Sequence, residues 1–154
     1  MTPTCEKRLG TVTAHPGGPP LESHGPRIRV AVIFTSAEAT LAALKRAGVL
    51  AGRLNAQLTL IVMQCVPIPY PLTSPPILLD FSERLLSEIA SQCPVETTVR
   101  LYLCRDPWET LQEVLKPRPL VVIGGRRRWW PTREKRLARR LQRAGHEVIF
   151  TEAE

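Results

Sequence analysis

Apolar and polar positions fall into alternating blocks from residue 28 onward. Ile28 to Phe34 (IRVAVIF) is rich in β-branched and apolar residues, the pattern of a buried strand. The stretch from Thr35 to about Leu54 predicts a helix. Thr35 and Glu38 stand at capping-box spacing, and Leu41, Leu44, Gly48 and Ala51 share one face. Asn55-Ala56 turns the chain into a second apolar strand, Gln57–Val66. Pro67, Pro69, Pro71, Pro75 and Pro76 then break regular structure, because Pro supplies no backbone donor to either ladder. A helix is predicted from Ile77 or Asp80 to about Gln92, with Leu78, Phe81, Leu85 and Ile89 as its stripe.

Val95 to Cys104 alternates in polarity, which predicts a half-buried strand nearer a sheet edge. Asp106-Pro107-Trp108-Glu109 is a helix start: Asp106 caps, Pro107 suits the first turn and Glu109 completes the box. That helix reaches about Leu115. Leu120–Ile123 predicts a short strand ended by Gly124-Gly125, then a helix over Pro131–Ala144 stopped by Gly145, then a last strand at His146–Thr151. Strands alternating with helical crossovers predict one α/β domain. The expected form is a single doubly wound, five-stranded parallel sheet, Rossmann-like or flavodoxin-like, with helices on both faces. Ligands of such sheets sit at the carboxyl ends of the strands, here the loops after Phe34 and Ile123.

Residues 1–26 contain five Pro and four Gly without an apolar period, so they predict a disordered tail ahead of a domain over 27–154. Deleting that tail is expected to change stability by no more than about 0.5 kcal/mol. His15 and His24 lie in it with no Cys or carboxylate at ligand spacing, and no metal site is assigned. The apolar runs are far short of the ~20 residues a membrane helix needs. The first residues lack the pattern of a secretory signal, so the expectation is a cytoplasmic protein with reduced thiols at Cys5, Cys65, Cys93 and Cys104.

The formal charge of +7 is concentrated in one place. Residues 126–143 carry nine basic side chains and one acid, a formal +8, while the rest of the chain carries −1. The predicted helix over 131–144 sets Trp130, Leu137, Leu141 and Ala144 on one face and Arg133, Arg136, Arg140 and Arg143 on the other. Two readings of this segment stand. It is a solvated helix whose arginine stems cover the core, or a surface for an acidic protein or anionic ligand. Arg126-Arg127-Arg128 likewise is either a solvated turn or, with the helix start near Thr132, a phosphate site. Trp129-Trp130 is a candidate aromatic platform. No GxxxxGK[ST], GxGxxG or Ser/His/Asp order is present, and Phe34-Thr35-Ser36 lacks the paired acids of a receiver domain, so no catalytic residue is assigned.

Residues 28–66, with their Asn-Ala-Gln-Leu-Thr-Leu entry into the second strand, resemble the start of a universal stress protein. Asp106-Pro107-Trp108 and Leu120-Val121-Val122-Ile123-Gly124 are similar to that family's later turn and strand, and the resemblance spans 28–151. Residues 126–150 also resemble the stress-protein module of Kdp potassium-sensor kinases. The resemblance implies an adenine nucleotide alpha hydrolase-like fold, a regulatory and non-enzymatic role in stress response, and a homodimer through the last strand. Acidic Glu152 and Glu154 would oppose that pairing by like-charge repulsion.

It also implies a nucleotide site around Thr35, Ser36, Gly124, Gly125, Arg126, Arg128 and Thr132, with ATP, AMP or another nucleotide bound weakly. Nucleotide-binding members carry an Asp at the end of the first strand, where this chain has Ile33 or Phe34. Their glycine signature (Gly, two residues, Gly, nine residues, Gly-Ser/Thr) meets Arg127 at its second position and has no Gly-Ser or Gly-Thr. Such a loop needs glycines so that successive N–H groups can face a phosphate. The implied site is therefore degenerate. The alternatives are an ATP- or AMP-binding protein with slow hydrolysis, and a basic module for a membrane, an acidic partner or, least favoured, nucleic acid.

Overall fold

The computed structural model describes residues 4–12, 28–65, 79–93, 95–116 and 118–153, with backbone alone for 4–12 and 79–83. The proline-rich stretch 67–76, His15 and His24 lie outside the described residues. The elements are β1 Thr4–Val12, β2 Arg29–Ile33, α1 Ala37–Leu54, β3 Gln57–Cys65, α2 Leu79–Ser91, β4 Thr97–Cys104, α3 Pro107–Val114, β5 Leu120–Arg126, α4 Arg133–Arg143 and β6 Val148–Ala153. They form one sheet in the order β1-β4-β3-β2-β5-β6. The five strands β2 to β6 are parallel, as the alternating pattern predicts.

Period-2 burial splits the core in two. Val30, Val32, Leu58, Leu60, Val99 and Leu101 face α1 and α2, while Ala31, Ile33, Ile61, Val121 and Ile123 face α3 and α4. Alternate positions of β2 and β5 are buried on both faces, which is why these strands read as continuous apolar runs.

Four local expectations are corrected. First, part of the expected tail is structured. Residues 4–12 pair antiparallel with β4, with a register shift between Arg8 and Gly10 that leaves Leu9 without a partner residue. An apolar period is not needed here, because the open edge of β4 offers a main-chain ladder to any extended segment. Second, β5 does not stop at Gly124-Gly125. β6 continues alongside and pairs Gly124 with Thr151, Gly125 with Glu152 and Arg126 with Ala153.

Third, Ser36 rather than Thr35 caps α1, accepting from the Ala39 amide at 3.3 Å. Thr35 is used elsewhere: its amide donates to Thr40 Oγ1 (3.0 Å) and its hydroxyl to the Gly124 carbonyl (2.8 Å). Fourth, α2 buries Leu86, Ile89 and Ala90 and leaves Leu85 exposed, because it turns toward the α1 side of the sheet by one residue from the expected stripe. The Asp106 cap forms as predicted, accepting from the Trp108 and Glu109 amides. Gly145 ends α4 with φ +94°, a conformation that favours glycine.

Past Gly145, His146 anchors the entry to β6. Its amide donates to the Leu141 carbonyl, and Nδ1 is buried without a hydrogen-bond partner among the described residues. Burial first, and the Arg118 guanidinium second, push its pKa below the usual histidine value. The folded state therefore resists protonating His146 at a pH where the unfolded chain accepts the proton. Stability is expected to fall as pH drops through about 6.5, the unfolded value, and to level off below the folded one. Urea midpoints between pH 7.5 and 5 check this; His146→Gln should lose that part of the decline, and an identical pH profile would refute it.

Candidate functional site

Strand order creates the site. From β2 the chain steps outward through β3 to β4, then returns to the opposite side of β2 for β5 and β6. α1 leaves β2 toward one face and α4 leaves β5 toward the other, so the carboxyl ends of β2 and β5 flank a switch point.

The predicted residues divide into two groups there. Ser36, Arg126, Arg128 and Thr132 line one open cleft of about 450 Å³, together with Trp130, Pro131, Arg133, Glu134 and Arg136. Thr35, Gly124 and Gly125 do not line it. The Thr35 hydroxyl is spent on the Gly124 carbonyl, a bond that ties the loop after β2 directly to β5. Arg126 reaches back across the same gap to Glu38, 3.6 Å away, although this pair is too exposed to contribute much stability.

The two glycines serve packing. A Cβ on Gly124 would overlap the Ala39 carbonyl, and one on Gly125 would press into the Phe150 ring and the Glu134 Cβ. They let α1 and β6 approach β5 closely: both are register partners of β6 residues, and the Gly124 carbonyl also accepts from Thr35.

The loop after β5 is fixed from below. Arg127 N–H reaches the Ala153 carbonyl (3.4 Å), and Arg127 Nε lies 3.8 Å from Glu152. Lys135 Nζ donates to the Arg128 carbonyl (3.0 Å) and lies 3.6 Å from Glu152. Thr132 caps α4 by accepting from the Lys135 amide (3.3 Å), which leaves the Arg133 and Glu134 amides without an intrahelical acceptor. Four guanidinium groups, a helix start and a half-exposed indole thus converge on the cleft. Its one acid, Glu134, partly offsets their charge. The sequence sets Arg133 and Arg136 on the face of α4 opposite Leu137 and Leu141, as either a solvated face or a surface for an anionic partner. The register of α4 relative to the loop, which brings them to the cleft, has no local signature.

Cys65 and Cys104 are register partners on adjacent strands at this end of the sheet. Cys65 is exposed, whereas burial, outweighing a bond from Thr110, raises the Cys104 pKa. Among the described residues no cluster of His, Cys, Asp and Glu is placed to hold a metal ion.

No protein-family model and no curated protein matches the sequence. Solved structures do match it. A protein of the universal stress protein family from Burkholderia pseudomallei is 21% identical, with a TM-score of 0.55 over 81% of this chain and 96% of that one. The chain has the fold of the universal stress proteins. Universal stress protein UspA from Lactobacillus plantarum gives 17% identity and a TM-score of 0.51 over 84% of this chain and all of that one. A universal stress protein in complex with cAMP gives 14% and 0.54, over 83% and 99%.

Within this universal stress protein fold, the two departures in sequence have structural counterparts. Ile33 and Phe34, the two positions at which the resemblance expects an acid, are apolar and packed: Ile33 is 3% exposed among Ile61, Val121 and Ile123, and Phe34 is half-buried on the other face. Arg127, at the second glycine position, points to Glu152 and away from the cleft that holds Ser36.

Proposed function

We propose that this chain is a regulatory member of the universal stress protein family, non-enzymatic, whose nucleotide site is degenerate and takes anions weakly by charge. The observation that carries this reading is the Thr35–Gly124 hydrogen bond. It spends on a strand carbonyl the side chain that begins the loop after β2, at the place where the resemblance sets the nucleotide. The Arg126–Glu38 pair adds a second bridge over the same gap. What remains is the arginine cleft beside it, with Arg126, Arg128 and the start of α4 as phosphate donors and Ser36 and Thr132 already engaged as caps. Guanidinium groups bound to phosphate contact the part that every nucleotide shares, so such contacts do not separate adenine from guanine.

Titration calorimetry with ATP, AMP and GTP tests the reading. Binding should be weak, similar for the two bases, and reduced by at least about tenfold between 0.05 and 0.3 M salt, as screening of exposed charge requires. Arg126→Ala/Arg128→Ala should remove most of it. Submicromolar, adenine-selective and salt-insensitive binding would overturn the proposal and favour a true ATP or AMP site with slow hydrolysis. The cAMP complex of a structural neighbour supports a nucleotide as the ligand class for that second reading.

The proposal includes a cytoplasmic location and a homodimer through β6, which lies at a sheet edge. No helix among the described residues is long and apolar enough to cross a membrane. Glu152, expected to repel a partner strand, instead sits between Arg127 and Lys135 of its own chain. That neutralisation favours pairing. Light scattering at tens of micromolar protein should give twice the 17.2 kDa chain mass, and a monomer mass would refute the dimer.

A further inference from the structure

The most exposed large apolar side chain of the described residues sits inside the most basic segment. Trp129 is 91% exposed and Trp130 45%. Their rings meet edge to face, with centroids 5.2 Å apart and an interplanar angle of 75°. Arg128 lies over the Trp130 ring at 5.4 Å. Open clefts flank the loop on both sides, and Arg128 and Trp130 line each of them, so the loop stands as a ridge. The base of the ridge is tied to α4 and β6 through Lys135, Glu152 and the Thr132 cap. Arg133 and Arg136 beside it are exposed, and so are Arg126 and Arg127, whose ion pairs with Glu38 and Glu152 are solvent-facing and exchangeable for lipid phosphate.

We propose that this ridge is a docking surface for an anionic lipid bilayer, with Trp129 entering the headgroup boundary and the surrounding arginines binding lipid phosphates. Indole rings favour that boundary whatever their mutual angle, and guanidinium groups pair with phosphate in two-point contacts. Basic residues beside an anionic leaflet add attraction that salt screens.

A nucleic acid is the weaker fit. Strand-tracking aromatics need open faces on which successive bases stack. Here the two rings are crossed and Arg128 already covers one face of Trp130. Arg140, farther along α4, is likewise occupied over Trp108 at 3.9 Å and is not part of the surface. This inference does not depend on nucleotide binding in the cleft.

Vesicle co-sedimentation of the full chain tests it. The vesicles are pure phosphatidylcholine or phosphatidylcholine with 30 mol% phosphatidylglycerol, each at low and moderate salt. The expected result is binding to the anionic vesicles at least about tenfold stronger than to the neutral ones, with a blue shift of tryptophan emission. Trp129→Ala leaves the charge intact and should weaken vesicle binding at least fivefold, and Trp129→Phe should restore part of it. Trp129→Ala should leave ATP calorimetry unchanged, which separates this surface from the anion cleft. Failure to bind anionic vesicles would overturn the proposal. So would full binding by Trp129→Ala, which would mean charge alone. Preference for a single-stranded oligonucleotide over the vesicles would assign the surface to nucleic acid instead, and suppression of vesicle binding by equal concentrations of free inorganic phosphate would assign it to a small anion.

Discussion

Gly124→Ala should destabilise this protein by about 3 kcal/mol or more, at or beyond the upper end of ordinary overpacking. The added methyl would overlap the Ala39 carbonyl, with the Ala39 carbonyl carbon 2.6 Å away and the Ala43 Cβ 3.2 Å away. Ala39 and Ala43 lie on the buried face of α1, and their backbone cannot yield as a side-chain tip can. The helix must shift as a body, or β5 must leave its register between β2 and β6. Either movement also strains the Thr35–Gly124 bond at the switch point. Gly125→Ala provides the contrast. Its new methyl meets mainly the Phe150 ring, which can rotate, so the cost should be roughly 1 kcal/mol. Urea denaturation of both variants checks the pair, and a Gly124→Ala loss below about 1 kcal/mol would refute the argument.

The same glycine shows how far the sequence could be read. Gly124 and Gly125 stand where a turn was expected and where a phosphate loop could begin, and glycine suits either role. A third role, close approach of another element, depends on where α1 and β6 lie and has no local pattern. The parallel sheet was legible because both faces of β2, β3 and β5 are covered, which leaves long apolar runs in the chain.

The helix start at Asp106 was legible too, since a capping side chain acts on amides two or three residues away, whereas α4 was expected from Pro131 and begins at Arg133 after its Thr132 cap. Ser36 was displaced in the reading by its neighbour Thr35, which has the same chemistry but a long-range partner. Four of the seven expected site residues meet in one cleft. The arginines of α4 that complete it were readable as exposed but not as convergent, because convergence is set by how α4 docks on β5 and β6.

The basic segment gains meaning from what acids elsewhere in the chain do. Glu38, Glu113 and Glu152 each form an ion pair, and two of the three reach the loop or the start of α4. Glu152 in particular holds Arg127 and Lys135 together at the end of β6. These pairs are worth little as stability. Their consequence is positional: they orient the base of the loop while leaving Arg128, Arg133 and Arg136 exposed around Trp129 and Trp130.

Removing residues 1–12 should drive the chain to associate beyond a dimer, contrary to the expectation of an inert tail. β1 covers the outer edge of β4 from Thr4 opposite Cys104 to Val12 opposite Thr97. Without it, β4 presents a row of free donors and acceptors along Thr97–Cys104 (TTVRLYLC), in which Arg100 is the only charge. An edge of that length with a single charged residue is a template for strand addition between chains. The stability loss should be modest, about 1–2 kcal/mol. A ladder of hydrogen bonds worth roughly 1 kcal/mol each is offset by a comparable ordering entropy per residue. The effect on association should be much larger, because nothing else among the described elements covers that edge. Light scattering of the truncated chain at tens of micromolar should show species heavier than a dimer. Glu or Lys in place of Val99 would disturb the core, so the discriminating variant adds charge at the edge position Thr98 instead, where burial is incomplete. Truncation combined with Thr98→Lys should restore the smaller mass, as edge lysines do in natural sheets. A truncated chain with unchanged mass and unchanged urea midpoint would show that β1 contributes nothing to the edge it pairs with.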